Sequence, residues 1–141
     1  MTLPRRDMLC VFAAALVEWP VFAFSADKLV ELHNEARQKH GKAKLEKDDK
    51  LSQYAQEWAD TMARRGRMTH SSMKNIMALG FATAGENIAW GQDDEQEVMS
   101  AWMHSSGHRR NILSAGYKQI GCGVAQSARG PYWCTCFGTR K

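Results

Sequence analysis

Residues 120–137, Ile-Gly-Cys-Gly-Val-Ala-Gln-Ser-Ala-Arg-Gly-Pro-Tyr-Trp-Cys-Thr-Cys-Phe, decide the fold class of this 141-residue chain. Ile120, Cys122 and Val124 alternate along one run and Tyr132, Cys134 and Cys136 along the next, with Arg129-Gly130 between them. A period of two belongs to strands whose successive side chains point to opposite faces, so a β-hairpin is predicted here. Were Ala128 and Pro131 to flank a two-residue turn, Cys122 would stand opposite Phe137, and a shift of one residue would set it opposite Cys136. A Cys122–Cys136 cross-strand bridge is the expected pairing.

Upstream of this hairpin the period is helical. Leu51, Tyr54, Ala55, Trp58, Ala59 and Met62 fall on one face of a helix that begins after Asp48-Asp49 and stops at Gly66, and its aromatic stripe reads as core. Leu29, Leu32 and Ala36 predict an earlier helix, capped by Asp27 and ending near Gly41. Asp93, Asp94, Glu95 and Glu97 suit the positive end of a third, running through Val98, Ala101 and Trp102 until Ser105-Ser106-Gly107 breaks it. His108 to Leu113 add one helical turn. From Arg67 to Thr83 the periodicity is lost, which reads as a long surface connection carrying His70. Three helices ahead of a small antiparallel sheet, without βαβ alternation, give the class α+β and a sandwich architecture.

Composition narrows the function. With 44% hydrophobic and 24% charged residues the chain is globular, and neither a disordered tail nor a polytopic membrane protein fits. A formal charge of +4 allows attraction to anionic surfaces but falls short of a nucleic-acid-binding signature. No repeat or linker divides the chain, so one domain is expected, and with it a monomer.

The first 25 residues read as a secretory signal: Arg5-Arg6, an uncharged run from Met8 to Val17, then small residues at Ala23 and Ser25, with cleavage expected before Ala26. The run is too short to span a bilayer, so no stable transmembrane anchor is expected. Arg5-Arg6 before Met8-Leu9 is similar to a twin-arginine signal, although Pro4 and Asp7 are not its best neighbours. The expected domain, residues 26–141, keeps the charge of +4 and would reside outside the cytoplasm, secreted or periplasmic. Disulfides persist there, but Cys122, Cys134 and Cys136 are odd in number and leave one thiol over.

Two histidines and a carboxylate stand in stretches that look irregular: His70, His108 and Glu86. Together they would form a partial metal site or an acid–base cluster; apart, they are loop residues or satisfied polar groups. His104 and His108 have the spacing of zinc ligands on one helical face, but Ser-Ser-Gly interrupts it and no glutamate follows His104. None of Ser71, Ser72, Ser105 or Ser106 sits in a nucleophile elbow. Arg64, Arg65, Arg67, Arg109 and Arg110 read as solvated charge, or as a patch for anionic lipid or polymer.

Five motifs in order complete the reading: His33-Asn34-x-x-Arg37; His70; Gly85-Glu86-Asn87-Ile88-Ala89; Trp102-x-x-Ser105-x-Gly107-His108-x-x-Asn111-Ile112-Leu113; and Ile120-Gly121-Cys122-Gly123-Val124-Ala125 with Tyr132-Trp133 and Phe137-Gly138. Across residues 27–138 the chain closely resembles the CAP superfamily, that is, the cysteine-rich secretory, antigen 5 and pathogenesis-related group-one proteins, in its bacterial branch. The resemblance implies an α-β-α sandwich and a cleft with two His and two Glu that binds zinc or another divalent cation in some members. His70, Glu86 and His108 match three of the four; the fourth position is Ser105, and Glu97 lies about 80° away around an ideal helix. Three ligands could still hold Zn²⁺ with a water, or form a hydrogen-bonded polar network instead. His33, Asn34, Arg37, Asn87 and Asn111 read as scaffold, and plant members bridge the positions of Cys122 and Cys136. The expected function is an extracytoplasmic binding module whose partner is a small molecule, a lipid or an envelope component, and not nucleic acid. The alternatives are a zinc-assisted, peptidase-like hydrolase using the same cleft and an envelope-associated lipid- or polymer-binding factor.

Overall fold

The computed structural model describes residues 23–141. The expected export segment therefore lies, except for residues 23–25, outside the described residues. Helix α1 spans Ala26–Lys39, and its cap is Ser25, whose hydroxyl accepts from the Lys28 amide, rather than the expected Asp27. Asp27 sits too late to cap and pairs with Lys47 instead. Strand β1, Glu46–Lys47, is followed by α2, Asp49–Arg65, which runs between an Asp48 cap and a left-handed Gly66 as its sequence predicts.

The stretch expected to be irregular holds more structure than its composition suggests. Residues 67–72 form a loop, Met73–Met77 the short helix α3, and Phe81–Trp90 the strand β2, which contains Gly85 and Glu86. Helices α4, Glu95–Met103, and α5, Ser106–Leu113, precede β3, Gln119–Ala125, and β4, Tyr132–Arg140. The sheet order is β1-β3-β4-β2, with β1 parallel to β3 and the other pairs antiparallel. The predicted α+β class is thus correct, with five helices among the described residues.

Two cores sandwich this sheet. On one face Cys122, Trp133 and Phe137 pack with Leu29, Val98, Trp102 and Ile112 from α1, α4 and α5. On the other, Cys134, Cys136 and Ile88 pack with Leu51, Ala55, Ala59 and Met62 of α2 and Ile76 of α3. Gly121 and Gly123 allow α2 to lie directly on β3: a methyl at Gly123 would come within 2.5 Å of the Gln56 Cα.

The register corrects the disulfide expectation. The β3–β4 connection is longer than a two-residue turn, pairing Ala125 with Tyr132 and therefore Cys122 with Thr135. This is one residue away from the register expected, and a one-residue slip sends a side chain to the opposite face. Cys122 lies in the α1 core, where its sulfur is 3.2 Å from Thr135 Oγ1, while Cys134 and Cys136 lie beneath α2. The sheet separates Cys122 from Cys136, and all three thiols are free and buried.

Candidate functional site at the free edge of the sheet

Strand β2 is an edge of the sheet, and there the two helical layers approach each other across it. Alternation along β2 sends Glu86 and Ile88 towards α2, and Asn87 towards α5. From the α2 side comes the 67–72 loop, held where Trp58 Nε1 donates to the Thr69 carbonyl at 2.8 Å. The half-buried aromatic stripe of α2 thus has a second task besides core packing, which is to place His70 and Ser71. From the other side comes α5. Asn87 Nδ2 donates to the His108 carbonyl at 3.0 Å, and Asn111 Nδ2 donates to Asn87 Oδ1 at 2.9 Å. These amides fix His108 against the strand, the scaffold role expected of them.

Between the layers lies a cleft of about 490 Å³ whose walls include His70, Ser71, Glu86, Ser105, His108 and Tyr117. Glu86 forms its floor. Its side chain is 1% exposed, and the His70 side chain is 60% exposed. A carboxylate taken out of water costs several kcal/mol unless hydrogen bonds replace its hydration. Here Oε1 accepts from His70 Nδ1 at 2.8 Å and from the Ser71 amide at 2.9 Å, and Oε2 accepts from the Ser71 hydroxyl. His108 stands in the facing wall, its imidazole pushed below the usual range by burial and then by the nearby His70.

The three expected residues therefore share one cleft, but their donors do not converge. His70 and Glu86 are joined directly, whereas His108 does not come within ligand distance of both. Among the described residues, the triad whose donor atoms all lie within 4.8 Å of one another is Glu86, Cys134 and Cys136. The residues of the cleft thus do not fit a His₂Glu zinc centre in this arrangement, and no step through such an ion follows from it. Ser105, at the position expected to lack the second glutamate, lines the cleft, while Glu97 turns back to accept from the Asp93 amide at 2.8 Å. His104 caps the end of α4 with Nδ1 2.7 Å from the Ser100 carbonyl, on a different helix from His108. Sequence reasoning passed over two neighbours of Glu86: Ser71, which grips the carboxylate, and Cys134, whose sulfur is 4.0 Å from Oε2. No local signal marks either, since both meet Glu86 only through long-range pairing.

As free thiols Cys122 and Cys134 are poor nucleophiles. Burial pushes Cys122 up to about 12 and Cys134 well above the ordinary thiol range, and the thiolate is the reactive form.

Residues 30–137 match the profile of the cysteine-rich secretory protein family, CAP. The uncharacterized protein YkwD of Bacillus subtilis is 40% identical over 114 residues, covering 75% of this chain and 44% of that protein. The uncharacterized membrane protein YlbC of the same bacterium is 32% identical over 129 residues, covering 85% of this chain and 37% of that one. The chain spans less than half the length of either relative. Among solved structures, an outer surface protein of Borrelia burgdorferi superposes with a TM-score of 0.75 at 25% identity, over 82% of this chain and 92% of that one.

Proposed function

The chain belongs to the cysteine-rich secretory protein family, and from that premise we propose that it is an extracytoplasmic binding module whose ligand surface is the cleft between His70, Glu86 and His108. In this reading residues 1–25 direct export. The fold does not name the ligand, since one scaffold serves many tasks. The observation that carries the reading is the floor of the cleft: a buried carboxylate held by one wall, with imidazole, hydroxyl and carboxamide groups facing it from the other. Such a preformed concave site with a few fixed polar groups is what small-ligand recognition requires. Its lining mixes His70, Ser105, His108 and Asn111 with Met73 and Ala84, which favours a polar ligand with a small apolar part over a long acyl chain. Among the described residues no helix is long and apolar enough to cross a membrane.

A fragment screen followed by amide shifts tests this. Hits are expected to move the Ser71, Glu86, His108 and Asn111 resonances and to weaken about tenfold in His108→Ala, roughly the worth of one good contact. Hits confined to other faces, with the cleft silent, would overturn it.

A further inference from the structure

Directly beneath the cleft floor, Cys134 and Cys136 of β4 point to the α2 side of the sheet, and their sulfurs are 3.8 Å apart. The neighbouring strand places Glu86 opposite Cys136, with Oε2 4.0 Å from the Cys134 sulfur. We propose that Cys134, Cys136 and Glu86 form a binding site for a thiophilic divalent cation, Zn²⁺ foremost.

Three features support it. Tetrahedral zinc with bonds of about 2.3 Å to sulfur holds two thiolates about 3.8 Å apart, the separation seen here without rearrangement. The two donor types also suit zinc: paired thiolates with one carboxylate leave a fourth position for water. Finally, the carboxylate is already oriented. His70 Nδ1 and the Ser71 amide occupy Oε1, while Oε2, which accepts from the Ser71 hydroxyl, lies 4.0 Å from the Cys134 sulfur. Outer hydrogen bonds of this kind fix metal-ligating carboxylates. Ser71 and Glu86 both line the cleft, whereas Cys134 and Cys136 are fully buried. Coordination would hold both sulfurs as thiolates. The site shares Glu86 with the cleft above, but the two sulfurs that define it are not part of the cleft's lining.

The test is a titration of the reduced, chelator-stripped chain with Co²⁺ and then Zn²⁺, following thiolate-to-cobalt charge-transfer absorption. One equivalent of Co²⁺ is expected to produce the band and one of Zn²⁺ to abolish it. Cys134→Ser and Cys136→Ser should each weaken binding by about 100-fold or more, while Cys122→Ser and His108→Ala stay within about threefold of the parent. Absence of the band in the folded parent chain overturns the site, whatever the variants do. So does a band that depends on His108 or on Cys122.

Discussion

Glu86 is the residue on which the site turns, because it is a charge with almost no contact with solvent. Replacing it by alanine leaves the Ser71 amide and hydroxyl without their acceptor, and hydrogen bonds to a charged group are worth about 1.5–3 kcal/mol. Glu86→Ala is expected to lower unfolding free energy by about 2 kcal/mol in urea titrations. An unchanged midpoint would mean that water replaces the carboxylate freely. His33 supplies a second prediction at this scale. It is wholly buried between Trp102 and Phe137, with Nδ1 2.7 Å from the Leu29 carbonyl and Nε2 without a partner among the described residues. Burial lowers its pKa from 6.5 to about 4. Between those values the unfolded chain binds a proton that the folded chain refuses. Stability therefore falls as pH drops from about 6.5 to about 4 and levels off below, by about 3 kcal/mol in all. Denaturation across this range should show that loss in the parent and a flatter acid limb in His33→Leu; parallel limbs would refute the assignment.

Among the elements, α2 was legible because its signals are local: an aspartate cap, apolar spacing of three and four, and a terminal glycine. Strand β2 was not. Gly85-Glu86-Asn87 offers no alternation of polar and apolar residues, because Glu86 and Asn87 are both buried, on opposite faces, each satisfied by polar partners from a distant segment. The hairpin was recognised but misregistered, since a connection longer than two residues leaves pairing to long-range packing. That single-residue difference turned an expected disulfide into two separate thiol environments. Two predictions belong here. At Gly121 an added methyl meets α2 backbone, within 2.6 Å of the Leu51 carbonyl oxygen, and backbone cannot swing aside. Overpacking of this kind costs about 1–3 kcal/mol, so Gly121→Ala should lower the melting temperature by several degrees; an unchanged melt would show that α2 can lift off the sheet. The start of α1 gives the other. Ser25 caps the helix, its amide donates to Glu95 at 2.5 Å, and the Phe24 ring packs edge-on against Trp133 at 4.9 Å. A chain beginning at Ala26 should therefore be about 1–2 kcal/mol less stable than one beginning at Phe24, as paired urea curves would show. Equal curves would make the cap irrelevant.

At the scale of the whole molecule, the α-β-α layering explains why a site arises where it does. A helical layer on each face must end at the sheet's edge, and at β2 both layers present loops or helix ends over an otherwise open strand. His70, Glu86 and His108 were nameable from the chain because their motifs follow in family order, and the fold does gather them. What motif order could not convey is which donors converge: the two imidazoles face one another across a cleft, while the thiols of β4 lie against the Glu86 carboxylate from below. The same carboxylate thus closes the floor of a ligand cleft and completes the donor set under it. Crystals of the chain soaked in Zn²⁺, with anomalous diffraction collected at the zinc edge, test this division directly. The predicted result is a single peak bounded by Cys134, Cys136 and Glu86, with none in the cleft above. A peak between the His70 and His108 rings, with the thiols unliganded, would contradict it.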